Sequence, residues 1–311
     1  MGAALPWADQ GALGMNEASA TLVDRLGIHD KGDALERPLR LEWSSSLAAH
    51  LFAIQFWFWP TSRHAVPMPL PFEELDFRPT PMGDLILRRR RIAMLDDLEV
   101  LEVKLGEGFL MSSLFHEVEE ALADCGLAAV AAELGEPLRV VVGGLGLGYT
   151  AAAALKDPRV GELLVVDIMP AVIEWHQKGL VPLGPGLIAD PRCRLIEADF
   201  FALAADPTLG FDSLQPSRRF HAVLLDIDHS PDNLLHERHG GFYSGAGLER
   251  LAEHLLPGGV FALWSDDPPD SEFMEHLAEV FLQPESHVVE FHNPIQERAS
   301  ASTVYVARKR S

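Results

Sequence analysis

Four aspartates, Asp167, Asp199, Asp226 and Asp228, each fall at or just after the end of an apolar run, downstream of Val140-Val-Val-Gly-Gly-Leu-Gly-Leu-Gly-Tyr-Thr-Ala151. An apolar β-branched run that stops at glycines and continues into alanines predicts strand, tight turn and helix. Gly143, Gly144, Gly146 and Gly148 let backbone approach a nucleotide-like ligand closely, and the helix start supplies free N–H groups. About twenty residues on, Leu163-Leu-Val-Val-Asp-Ile168 ends a second run in a carboxylate, which suits a ribose hydroxyl pair because it accepts from both. In an open parallel sheet the ligand crevice lies outside the carboxyl ends of the strands, so four acids at such ends converge on one pocket.

The pattern from Leu138 onward alternates. Strands are expected over 138–142, 163–167, 193–197, 220–225 and 260–264, and helices over 148–156, 170–178, 244–255 and 270–281. Two final runs, 286–292 and 302–307, alternate as an antiparallel pair does. The expected fold class is α/β: a doubly wound sheet with a C-terminal antiparallel hairpin, preceded by a small β-rich region. The expected domains are 1–135, with β-hairpin elements and a linking helix, and 136–311, the nucleotide-binding catalytic part. Within the first part, strands are read over 84–87, 92–95 and 99–105, and Ser112 or Ser113 is read as the cap of a helix reaching Ala132. Before them, 17–26 is read as a short helix and 60–81 as a proline-rich connector. The basic block Arg88, Arg89, Arg90 and Arg91 is read as the exposed part of a hairpin.

Composition narrows the function classes. The 311 residues are 48% hydrophobic, enough for a large core. The net charge of −21 is spread along the chain; such a field repels nucleic acid and favours cationic partners. The longest apolar stretch, 47–59, is short of the about 20 residues that span a bilayer. The N-terminus shows no basic region followed by an apolar run, and the two cysteines, Cys125 and Cys193, form no disulfide framework, so a cytoplasmic location with no membrane partner is expected. His229, His236 and His239 share a polar loop without a fixed helical pair and a third ligand, and no metal is expected there.

Together these residues resemble the class I S-adenosylmethionine-dependent methyltransferase fold. Val142-Gly-Gly-Leu-Gly-Leu-Gly148 looks like its glycine motif, Val166-Asp167, with Ile168 beside it, its ribose-binding acid, and Glu197-Ala-Asp-Phe200 its adenine-contacting segment. Leu255-Leu-Pro-Gly-Gly259 looks like the turn before its fifth strand. A narrower resemblance is to spermidine synthase-like proteins, the polyamine aminopropyltransferases. Ala222-Val-Leu-Leu-Asp-Ile-Asp-His-Ser-Pro-Asp-Asn-Leu-Leu235, followed by Gly241-Phe-Tyr-Ser244, looks like that family's catalytic segment, and Phe115-His-Glu117 is similar to its Tyr-His-Glu step into a helix. Two positions depart from the family pattern. Leu145-Gly-Leu147 carries no acid inside the glycine loop, and the second acid of Asp226-Ile-Asp-His229 is displaced by one residue.

The resemblance implies an adenosyl-sulfonium co-substrate, S-adenosylmethionine or its decarboxylated form, and an amine acceptor, most simply a polyamine. Asp226 is then the catalytic acid, Asp228 a companion in substrate binding, and Tyr243 either a hydrogen-bond partner of the amine or a packed side chain. A sulfonium leaves as a neutral sulfide and needs no protonation, whereas an alkylamine of pKa about 10 must lose a proton before it attacks, so a carboxylate is needed there. The resemblance also implies a homodimer or larger, through the edge strands of the β-rich part. Three alternatives stand beside this reading: a small-molecule methyltransferase, a non-catalytic adenosyl-binding protein, and a nicotinamide-dependent oxidoreductase, since Gly146-Leu-Gly-Tyr-Thr-Ala151 also satisfies G-x-G-x-x-A.

Overall fold

A computed structural model of the chain describes residues 72–310. The expectations for 17–26 and 47–59, and for the start of the connector, lie outside the described residues. Four antiparallel strands come first: β1 (Phe72–Thr80), β2 (Gly83–Ile92), β3 (Leu98–Leu105) and β4 (Gly108–Ser112), in that spatial order. Helix α1 (Glu117–Ala128) then leads to β5 (Leu138–Gly143). The chain continues through α2 (Tyr149–Lys156), β6 (Val160–Asp167), α3 (Pro170–Gln177), α4 (Gly184–Ala189), β7 (Cys193–Glu197), α5 (Phe200–Ala205) and β8 (Phe220–Leu225). It ends with α6 (Gly240–Tyr243), α7 (Gly245–Glu253), β9 (Leu255–Ser265), α8 (Ser271–Val280), β10 (Phe281–Asn293) and β11 (Arg298–Lys309).

The second sheet has seven strands in the order β10-β11-β9-β8-β5-β6-β7. Strands β5 to β9 run parallel, and β10 and β11 pair antiparallel at one edge. Chain order reverses at β5, which has β6 on one side and β8 on the other, so the crevice opens where β5 and β8 end. The doubly wound α/β sheet with a C-terminal hairpin, preceded by a small β-rich region, is therefore the fold of this chain.

Period-two alternation divides the core into two layers. Val140, Val142, Leu163, Val165, Ala222 and Leu224 face one side, where α1, α2, α3 and the four-stranded sheet pack. Val141, Leu164, Val166, Val223, Leu225 and Phe261 face the other, against α5, α6, α7 and α8. Trp175, wholly buried in the first layer, ties the sheets together by donating from Nε1 to Asp76 Oδ2 at 2.8 Å.

Several local expectations are corrected. Strand β1 occupies 72–80, inside the stretch read as a connector, because β2 offers it a full ladder. Residues 92–95 are the end of β2 and a 3-10 turn, not a strand. The basic block does lie on a hairpin, that of β2 and β3, but only Arg91 is exposed and the other three arginines are half-buried. It lies along β2, where Arg88 and Arg90 both pair with buried Glu102, and Arg89 and Arg91 with Glu99. Cross-strand acids on β3 thus absorb its charge. Ser112 ends β4 and Ser113 Oγ accepts from Leu101 N–H, so neither caps α1; that helix starts after His116 with Glu117, Glu119 and Glu120 in its first turn. Helices α4 and α5, six residues each, had no periodic signal at that length.

Candidate active site

The cleft begins at Gly143. The next peptide turns sharply, with Gly144 at φ +94° and its N–H on Val166 C=O, while Asp226 N–H donates to Gly143 C=O at 2.8 Å. The loop and the start of the β8 loop therefore touch backbone to backbone. A Cβ on Gly144 would lie 2.0 Å from the Asp226 carbonyl oxygen. The other loop glycines answer to packing: a Cβ would strike the Phe200 ring at Gly143, the Met111 thioether methyl at Gly146 and His176 at Gly148. His176 Nε2 meets Gly146 C=O at 2.9 Å and holds the loop from behind.

Asp167 closes β6. Its Oδ2 accepts from Leu145 N–H at 2.9 Å and its Oδ1 from Met169 N–H at 2.7 Å. Burial raises its carboxyl pKa, opposed by those amides and that of Gly146. Asp199 caps α5, its Oδ1 accepting from Phe201 and Ala202 N–H, and Oδ2 makes no hydrogen bond among the described residues.

Asp226 follows β8 directly. Thr150 Oγ1, in the first turn of α2, donates to Asp226 Oδ2 at 2.6 Å. Burial raises the Asp226 pKa to about 6, with the Thr150 hydrogen bond opposing. Glu119 on α1 is pushed up further, to about 8, by burial first and then by the Asp226 charge. Two carboxyls in a dry site cannot both ionise cheaply, so near neutral pH the pair retains a proton.

This pair sets a pH dependence. An acid whose folded pKa exceeds its unfolded value binds more protons folded than unfolded, so stability falls as pH rises between the two values. For Glu119 the window runs from 4.5 to about 8. The melting temperature of the wild type should fall from pH 5 to pH 8, and Glu119→Gln should flatten that fall. An equal fall in the variant would show that Glu119 ionises freely.

An open cleft joins these groups. Gly144, Gly146, Asp167, Ile168, Asp199 and Phe200 line it, as does Asp226. Gly143 and Gly148 lie behind the wall. Asp228 and Tyr243 are buried below it, with Tyr243 O–H donating to Asp228 Oδ2 at 2.8 Å. Sequence reasoning missed Glu119, His239 and Arg238, and the Met111 wall. Glu119 had a legible signal: Leu122, Ala123 and Gly126 follow it at i+3, i+4 and i+7 and are buried, so Glu119 falls on the apolar stripe of α1. Among the described residues no group of three His, Cys, Asp or Glu side chains is placed to hold a metal, and no helix is long and apolar enough to cross a membrane.

No protein-family model matches the chain. It is 29% identical over 132 residues to a polyamine aminopropyltransferase of Mycobacterium tuberculosis, and 31% over 130 residues to one of Prochlorococcus marinus. Over these stretches the chain is similar to polyamine aminopropyltransferases. Each match takes in 42% of this chain, but the chain spans only 23% and 41% of the length of those two relatives. The fold is shared with spermidine synthase from Thermotoga maritima, at a TM-score of 0.57 and 16% identity over 76% of this chain and 72% of that one. It is shared equally with a spermidine synthase held in complex with the transition-state analogue AdoDATO, at a TM-score of 0.56 and 16% identity over the same shares.

Proposed function

We infer that the chain transfers an aminopropyl or other alkyl group from an adenosyl-sulfonium donor to an amine, a polyamine. One observation carries this reading. Asp226, oriented by Thr150 at 2.6 Å, opens into the cleft that Asp167 and the glycine turn also line. The carboxylate of Asp167 at the end of β6 suits the ribose hydroxyls, and the free Oδ2 of Asp199 suits an exocyclic amino group. The bound donor supplies an electrophilic carbon beside a positive sulfur. The chain's residues do the rest. Asp226 takes a proton from the substrate ammonium, and the lone pair so freed on nitrogen forms the C–N bond. The C–S bond breaks, and its electron pair stays on sulfur as a neutral sulfide. Its raised pKa makes Asp226 a stronger base than an ordinary aspartate while leaving it largely ionised at pH 7.

A second reading, methyl transfer from S-adenosylmethionine, has its own support. Arg238 lines the cleft and pairs with no carboxylate among the described residues, and Gly146 stands packed against Met111 with no acid in the loop. An unpaired guanidinium suits a ligand carboxylate, which the decarboxylated donor lacks. Calorimetric titration with S-adenosylmethionine, its decarboxylated form, 5′-methylthioadenosine and NAD separates these readings. Tightest binding of the decarboxylated donor is expected for aminopropyl transfer. Binding of NAD alone would defeat both readings.

A further inference from the structure

Asp228 is fully buried, and three groups converge on it. Leu235 N–H donates to Oδ1 at 2.8 Å, Tyr243 O–H to Oδ2 at 2.8 Å, and His239 Nδ1 lies 2.8 Å from Oδ1 and 3.0 Å from Oδ2. The amide can only donate. Tyr243 keeps its proton, because burial and the neighbouring Asp228 charge hold its pKa well above 10.0. A carboxylate that accepts from all three partners places a hydrogen on Nδ1, so that in the neutral ring Nε2 holds the lone pair.

The ring is also clamped in its plane. Phe201 stacks on it with centroids 3.9 Å apart and planes 21° from parallel. His239 lines the same cleft as Asp226 and Asp167, and its side chain is 14% exposed. Its Nε2 hydrogen-bonds nothing among the described residues and is not sealed from solvent. Satisfying Asp228 requires only a donor; it does not require a rigid lone pair aimed at a ligand cleft. The Asp228 charge behind the ring makes this wall attractive to donors and cations and unattractive to anions.

We propose that His239, held by Asp228 as the Nδ1–H tautomer, accepts a hydrogen bond through Nε2 from an N–H of the amine substrate. This rests on the reading of the cleft as an amine-alkylating site and identifies the group that orients the amine. Asp226 keeps the proton-accepting role. Asp228 and Tyr243 act through His239 as positioning residues.

Two-bond proton–nitrogen spectra of the full chain, with the His239 signals assigned by their loss in His239→Ala, test the tautomer directly. An unprotonated Nε2 at pH 7.5 that shifts on adding spermidine or putrescine is expected. A protonated Nε2, whether Nδ1 is bare or protonated, or no response to either amine, overturns the proposal. In turnover assays His239→Ala should raise the amine KM about 10- to 100-fold, the range of a hydrogen bond to a charged group, with little change in kcat. Asp228→Asn presents an amide N–H to the ring and flips its tautomer, so the amine KM should rise as far, and the double variant no further. His239→Gln, which restores an acceptor oxygen, should recover part of the loss. Additive effects, or an unchanged KM in His239→Ala with product forming, overturn the proposal and leave the transfer reading standing. The expected tautomer and amine response without any alkylated product would defeat the transfer reading and leave the amine-holding histidine standing.

Discussion

Asp226→Asn should cut turnover by about 100-fold or more while leaving adenosyl-ligand affinity nearly unchanged. The amide keeps an oxygen to accept from Thr150 Oγ1, so the 2.6 Å contact and the backbone bond from residue 226 to Gly143 persist. What disappears is the only lone pair in that position basic enough to take a proton from a developing ammonium. The donor's ribose and adenine are assigned to Asp167 and Asp199, which the substitution does not touch. Stability moves the other way. Burial makes ionised Asp226 costly to hold, so the variant should melt no lower than the wild type at pH 8. Single-turnover rates, calorimetry and melting curves on one preparation check all three. An unaltered rate with confirmed product would show that the carboxylate only positions substrate.

Gly144→Ala should lower the melting temperature by about 5–15 °C and abolish adenosyl-ligand binding. The new Cβ would sit 2.0 Å from the Asp226 carbonyl oxygen and 2.9 Å from its carbon. Neither side can yield. Strand β5 is in register with β8 through Val142 opposite Leu224 and Gly143 opposite Leu225, and Gly144 N–H is tied to Val166 C=O. A φ of +94° adds a backbone penalty of about 1–2 kcal/mol per residue, and overpacking adds about 1–3 kcal/mol. Gly241→Ala is the control: nothing lies within 4 Å of its Cβ position and its φ is not in the left-handed region, so melting should be nearly unchanged. Equal melting of the two variants would mean that the loop is not packed against the β8 end as described.

Much of the sheet was legible. Strands β7 and β8 have the boundaries read from their apolar runs, and β5, α2 and α3 lie within a residue of theirs. The acids at strand ends were legible for the same reason, since the crevice of a doubly wound sheet has one location. The four-stranded sheet was harder to read. The arginines of β2 interrupt its apolar pattern, and their partners, Glu99 and Glu102, sit on the next strand.

The sequence by itself determined the alternation of buried residues, the glycine turn and the placing of Asp167, Asp199 and Asp226 at one end of the sheet. These depend on periodicity and backbone sterics, which each segment carries within itself. Only the tertiary structure decided the surroundings of each acid. Asp226 and Asp228 are two residues apart and read as a matched pair. The fold presents Asp226 to the cleft beside Glu119 and encloses Asp228 among Leu235, His239 and Tyr243. Their fates diverge because the backbone bends after β8 ends at Leu225, so strand alternation no longer holds residues two apart on one face, and the groups waiting there come from distant turns of the chain. Desolvation and donor count, which set the two acids apart, arise only once those turns have packed.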